Sequence, residues 1–194
     1  NCYIKVSVGE LVDKYSILDI KRERIHDPCK LICIHNELDA LNSALQYIQM
    51  YSKYYEQLKR VNTKIWDLTD IVKQLDTKHR LFSIVSNEIF ELNQCRFRIK
   101  KYFNDLFSSD IKEQKSYSDK VCTVLNPESD LNALFDICIH YDTVYSNTNL
   151  GPPNVVSICD KSICDKSDKS VIIDLNPIVY VATGLMGDFI MQLS

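Results

Sequence analysis

A chain of 194 residues with 45% hydrophobic content can bury a core without help from disulfides or metals. Its 23 Lys and Arg against 26 Asp and Glu leave a net charge of -3, which excludes a surface that holds nucleic acid or anionic lipid by charge alone. No apolar run reaches the ~18–20 residues of a membrane helix, so membrane insertion is not expected.

The eight cysteines are irregularly spaced: Cys2, Cys29, Cys33, Cys95, Cys122, Cys138, Cys159 and Cys164. Several fall inside apolar helical patterns, where Cys acts as a small hydrophobe, and they are read as reduced. No charged-then-apolar leader and no Asn-x-Ser/Thr acceptor occurs, which favours a cytoplasmic location.

Ser7-Val8-Gly9-Glu10 has the form of a capping box and predicts a helix start. Val8, Leu11, Tyr15, Leu18 and Ile25 then step by threes and fours, and the helix should end near His26-Asp27, ahead of Pro28. Asp27 as cap and Pro28 as first residue predict a second helix. Its seam runs through Leu31, Ile34, Leu38, Leu41, Leu45 and Ile48, then Tyr55, Leu58, Ile65, Leu68, Val72 and Leu75. No Gly or Pro interrupts it, so one helix of about 70 Å is expected from Pro28 to about Asp76. After the polar stretch 76–80, Phe82, Val85, Ile89, Leu92, Ile99, Phe103 and Leu106 mark a third helix. The simplest packing folds the first and third helices back on the two halves of the long one.

Beyond Tyr117, residues 121–125 and 143–145 read as strands around a helix from Leu131 to Tyr141. Gly151-Pro152-Pro153 breaks the chain, and the Asp-Lys-Ser repeats after it read as a low-complexity tether. Residues 171–174 and 178–182 read as further strands. The expected fold is mainly α: an elongated antiparallel helical bundle with one very long helix, and a small mixed α/β C-terminal region. The divisions are 1–117 for the bundle, 118–150 for a strand-helix-strand region, 151–170 for the linker and 171–194 for the start of an incomplete α/β domain.

Residues 178–194 have the form of an apolar strand, a glycine turn and a helix start, with Gly184 and Gly187 allowing close backbone approach to a ligand. Through Met186-Gly187-Asp188 this unit resembles the opening of heptosyltransferase-like glycosyltransferases. The resemblance implies Asp188 as general base toward an acceptor hydroxyl. It also implies that the donor half of such a site needs more than a hundred further residues, so the chain alone is expected to be catalytically silent, with no cofactor.

A second resemblance rests on several separated blocks. They are Val6 through Lys14, Ile17 through Lys21, Val61-Asn62 with Ile65-Trp66-Asp67, Asn93 through Arg98-Ile99-Lys100, and Ser109 through Tyr117. Together they resemble an uncharacterised family of helical proteins encoded beside surface-polysaccharide glycosyltransferases. That resemblance implies an accessory or oligomerisation module for such an enzyme, with a transferase domain in cis as partner. The alternative is a stand-alone structural coiled-coil protein whose glycine turn is coincidental.

Glu10, Asp13, Lys14 and Lys21 lie close to the apolar stripe of the first helix, and Asn62, Asn93, Arg96 and Lys100 line the facing helices. Helix-pairing hydrogen bonds and ion pairs are the expected use of this cluster, with a small anion pocket as the alternative. His26, Cys29, Cys33 and His35 crowd one junction, but their spacing fits no standard zinc module, and no metal is expected. A helix of ~70 Å would leave aromatic surface near Tyr47, Tyr51, Tyr54 and Tyr55, which predicts a homodimer with Tyr51 and Tyr55 at the contact.

Overall fold

The computed structural model describes residues 3–114, 120–125, 130–146, 151–157 and 171–174. They fall into two compact units, divided between Gln114 and Lys115. The described residues are mainly helical, with a small parallel sheet. None of the described helices is long and apolar enough to cross a membrane.

The first unit holds α1 (Val8–Arg24), α2 (Pro28–Ala40), α3 (Ala44–Met50), α4 (Ser52–Gln74) and α5 (Arg80–Leu106). The caps follow the sequence closely. Ser7 accepts from the Glu10 amide at 3.2 Å, Asp27 accepts from the Cys29 and Lys30 amides, and His79 Nδ1 accepts from the Leu81 amide at 3.2 Å. Only half of the capping box is used, because the Glu10 carboxylate is taken by Lys100 of α5.

The single long helix expected over 28–76 is three helices instead. One break is the turn at residues 41–43, and the other is Tyr51, at φ -136° and ψ 54°. Asn42 and Ser43 favour turns over helix interiors, which marks the first break. At the second, tertiary packing overrides local propensity. Tyr51 leaves helical geometry, and its ring stacks on Tyr54 at 5.9 Å and meets Phe107 edge-on at 5.5 Å. Tyr47 meets Phe107 at 4.7 Å, and Tyr55 meets Tyr15 at 6.4 Å. The tyrosines expected to form an exposed patch are therefore engaged within the chain, and Tyr51 and Tyr55 are half-buried.

Helices α1, α4 and α5 pack mutually. α4 and α5 run in opposite directions, with Tyr54 against Tyr102 and Phe103 near one end and Lys64 paired with Glu88 at 2.6 Å further along. α1 also opposes α5, since Asp13 meets Arg96 while Glu10 meets Lys100. Val12, Leu58, Ile99 and Phe103 are fully buried in this unit. Gly9 permits the closest approach: a Cβ there would lie 2.4 Å from the Lys100 carbonyl oxygen. α2 covers α1 through Leu18, Ile34 and Leu38, flanked by Tyr15, Ile25, Leu31 and Leu41.

The second unit is a parallel sheet with strand order β3-β2-β1-β4. Its members are β1 (Val121–Leu125), β2 (Thr143–Ser146), β3 (Val155–Ser157) and β4 (Val171–Asp174), with α6 (Leu131–Cys138) between β1 and β2. Cys122, Val124, Val144 and Ile173 pack with Leu134, Ile137 and Cys138 of α6 into one core. Asp130 caps α6, and Asn154 Nδ2 donates to the carbonyls of Cys138 and Tyr141, fixing the turn into β2. Residues 155–157, read from sequence as linker, form β3. Residues 171–174 pair with β1, so both sides of the repeat segment contribute to one sheet. The repeats at 159–170 and the glycine turn at 178–194, including Gly184, Gly187 and Asp188, lie outside the described residues.

Candidate functional site

The polar residues singled out in sequence converge on the face where α1 meets α4 and α5. Asp13 is 2% exposed. Arg96 grips its carboxylate with a two-pronged contact, Nε to Oδ1 at 2.8 Å and Nη2 to Oδ2 at 2.6 Å. Asn62 Nδ2 donates to Asp13 Oδ1 at 3.0 Å and to Ser16 Oγ at 2.7 Å, while the Ser16 hydroxyl donates to the Asp13 carbonyl at 2.8 Å. These contacts fix the amide orientation, since a carboxylate can only accept. Both Asn62 amide hydrogens are thereby used, and its buried Oδ1 has no donor among the described residues.

One turn further along α5, Lys100 Nζ donates to Glu10 at 2.5 Å and lies 2.6 Å from Glu113. Burial works to lower the Lys100 ammonium, but hydrogen bonds to both carboxylates outweigh it and hold it above its ordinary value. The bond to Asp13 likewise raises Arg96. Beside them the Gly9 amide donates to Asn104 Oδ1 at 2.7 Å.

Five of the eight singled-out residues therefore meet across the helices in two adjacent sets, Asp13 with Asn62 and Arg96, and Glu10 with Lys100. The other three join neither. Lys14 lies 3.5 Å from Glu37 of α2, Lys21 supplies a carbonyl that accepts from the Ile25 amide, and Asn93 donates to the Ile89 carbonyl of its own helix. Among the described residues no group of His, Cys, Asp or Glu is arranged to hold a metal ion, and Cys29 and Cys33 are exposed free thiols.

A second polar centre was not singled out in sequence. Asp19, 6% exposed, accepts from Lys59 Nζ at 2.6 Å and Tyr55 Oη at 3.0 Å, and also pairs with Arg22. Burial pushes its carboxyl up, but the bonds from Lys59 and Tyr55 and the charges of Lys59 and Arg22 hold it below 3.8. Lys59 is also desolvated, yet Asp19 and Glu23 keep it above 10.5. The available signal was a carboxylate beside Leu18 and Ile20, one turn beyond Tyr15.

These shifts set the pH dependence. The contribution of Asp19 is complete above its unfolded value and is lost as pH falls through the lower folded value. That of Lys59 is complete below its unfolded value and is lost as pH rises through the higher folded value. Urea midpoints should therefore fall below about pH 4 and above about pH 10.5, and Asp19→Asn should flatten both limbs. Equilibrium unfolding of parent and variant across pH checks this.

A cleft of about 230 Å³ adjoins the first network, between α1, α4 and α5. Ile17, Ile20, Ile65 and Trp66 wall it, Asn62 and Arg96 line it, and Thr69, Asp70 and Lys73 complete it.

A model of a family described as a family of unknown function, DUF6165, matches residues 2–136. The chain belongs to the DUF6165 family. No curated protein and no solved structure matches the chain. The DUF6165 match covers every helix of the first unit and continues through β1 and most of α6, so both polar centres and the cleft lie within the family's own extent.

Proposed function

We propose that the helical unit is an accessory or oligomerisation module of a glycan-building glycosyltransferase, cytoplasmic and without a catalytic site of its own. The observation that carries this is the pairing of its charged groups. Asp13 is bound by Arg96 and Asn62, and Lys100 lies between Glu10 and Glu113, so these groups hold helices together. A general base needs a free lone pair and a proton within reach, and these carboxylates are already engaged.

The transferase half of the reading rests on the Met186-Gly187-Asp188 resemblance. A bundle in which α1 and α4 both run opposite to α5 would give the transferase a stiff platform. Ile71, Leu81, Ile84 and Phe90 keep 46–49% of their surface exposed along α4 and α5, which leaves apolar area for a docked domain. A homodimer through Tyr51 and Tyr55 is less favoured, because both rings already have partners inside the chain.

The test is sugar transfer by a transferase domain that begins with residues 178–194, with and without the helical unit in cis. The helical unit should raise kcat/KM and bind the domain, and Ile84→Glu with Phe90→Glu should abolish both effects. An unchanged kcat/KM and no association would favour the stand-alone structural protein.

A further inference from the structure

We infer that the outer half of the α4–α5 hairpin pairs with the same surface of a second copy of this chain, in an antiparallel four-helix contact around Leu68, Ile71, Leu81 and Ile84. The inference rests on the oligomerisation half of the reading above and is independent of its transferase half.

Each of the two helices carries one heptad row. On α4 it runs through Tyr54, Gln57, Val61, Lys64, Leu68, Ile71 and Leu75, and on α5 through Leu81, Ile84, Glu88, Glu91, Cys95, Arg98 and Tyr102. Rows of this spacing form the seam between packed helices. At the inner end the seam is covered, since Tyr54, Gln57 and Val61 are buried, as are Cys95, Arg98 and Tyr102. Further out the cover stops: no residue from 63 to 93 is buried. Ile71, Leu81 and Ile84 keep 46%, 48% and 49% of their surface exposed.

Lys64 and Glu88 lie 2.6 Å apart and set the register of the hairpin. Because the helices are antiparallel, a step of four brings Leu68 opposite Ile84, and a further step of three brings Ile71 opposite Leu81. Steps of four and three return to the same side of a helix, so the ion pair and the two apolar rungs share one face. That face is open, with the Lys64 and Glu88 side chains 55% and 41% exposed. Phe90 is as exposed as Ile84 but lies about 120° round α5, outside the patch, and stays available to a docked domain.

The patch is self-complementary. A two-fold axis through the middle of the two apolar rungs sets Leu68 on Ile71 of the second copy, and Ile84 on its Leu81. In the same register Lys64 comes beside Asp76 of the second copy and Glu88 beside its Lys78, and both pairs are of opposite sign. Asp76 and Lys78 are exposed, and Asp76 accepts the Lys78 amide at 2.8 Å, which holds both at the hairpin tip. An isologous contact requires this reciprocity, in which residue i meets j and j meets i. A partner surface of one sign would face a like charge at Lys64 or at Glu88. The apolar area is small beside the ~800 Å² per partner of a standard interface, so the dimer is expected to form in the micromolar range.

Sedimentation equilibrium of the whole chain, from about 1 to about 500 µM and with no transferase present, tests this. The parent should pass from monomer to dimer within that range. Ile71→Glu and Ile84→Glu should each weaken the dimer about 100-fold or more, because each buries an unpaired charge on both sides of the axis. Their circular dichroism should stay that of the parent. Phe90→Glu should leave the dissociation constant within about twofold. Lys78→Glu, which would face Glu88 of the second copy, should weaken the dimer about fivefold or more. Should either isoleucine variant unfold, Lys78→Glu at the exposed tip carries the test. A parent that stays monomeric at about 500 µM overturns the inference. A dimer that tolerates Ile71→Glu, Ile84→Glu and Lys78→Glu, or that Phe90→Glu breaks equally, overturns the surface. No sugar transfer is measured, so either failure is distinct from failure of the transferase reading.

Discussion

Asp13→Ala is expected to destabilise the helical unit by about 3 kcal/mol, because removing one member of a buried ion pair leaves its partner uncompensated. For a unit of this size that corresponds to a fall of roughly 10–20 °C in Tm. Two groups lose their acceptor together. The Arg96 fork faces no carboxylate, and Asn62 Nδ2 keeps only Ser16 Oγ. Arg96 keeps 27% of its side chain exposed and regains some hydration, which places the loss at the lower end of the range for such pairs. The double variant Asp13→Leu with Arg96→Met should recover most of the stability, since an apolar pair of similar size carries no desolvation penalty. Thermal unfolding of the parent, both single variants and the double variant checks this.

Gly9→Ala is expected to cost about 2 kcal/mol or more, opposite in sign to the usual gain from Ala in a helix. The added methyl would sit 2.4 Å from the Lys100 carbonyl oxygen and 2.9 Å from its carbon. Both are backbone atoms, so relief requires α1 and α5 to separate. Separation stretches the Gly9 amide bond to Asn104 and the Lys100 contact with Glu10. Urea unfolding measures the loss, and Gly9→Ser should be at least as damaging.

Both predictions turn on residues that were visible in sequence for other reasons. Gly9 stood out only as part of a cap, since no local pattern records how near another helix will come. Asp13 and Arg96 were visible as charges beside apolar stripes, but their partnership spans 83 positions, and only packing reveals it. Helix starts were legible because capping is local: Ser7, Asp27 and the polar stretch before Arg80 each act within a few residues. The break at 41–43 carried only the weak turn preference of Asn42 and Ser43, and the break at Tyr51 was not legible. No Gly or Pro marks them, and the second follows from the distant Phe107 ring. β3 was hidden for a similar reason, since three residues beside Gly151-Pro152-Pro153 carry too little periodicity to signal a strand.

The contrast between the two polar centres follows the same logic. The network around Asp13 was anticipated because its members lie in the motif blocks. Asp19, Lys59 and Tyr55 form an equally buried centre, yet Lys59 and Tyr55 lie outside those blocks, and nothing in their spacing distinguishes them from surface residues.

The central claim is that the helical unit holds its charges for structure and not for sugar transfer. The most direct test is isothermal titration calorimetry of the whole chain with UDP-, GDP- and ADP-sugars. The account predicts no heat in the micromolar range for any of them, because the half-buried cations Lys59, Arg96 and Lys100 are each held by carboxylates. Micromolar binding of any nucleotide sugar, lost on Arg96→Met or Lys100→Met, would contradict it.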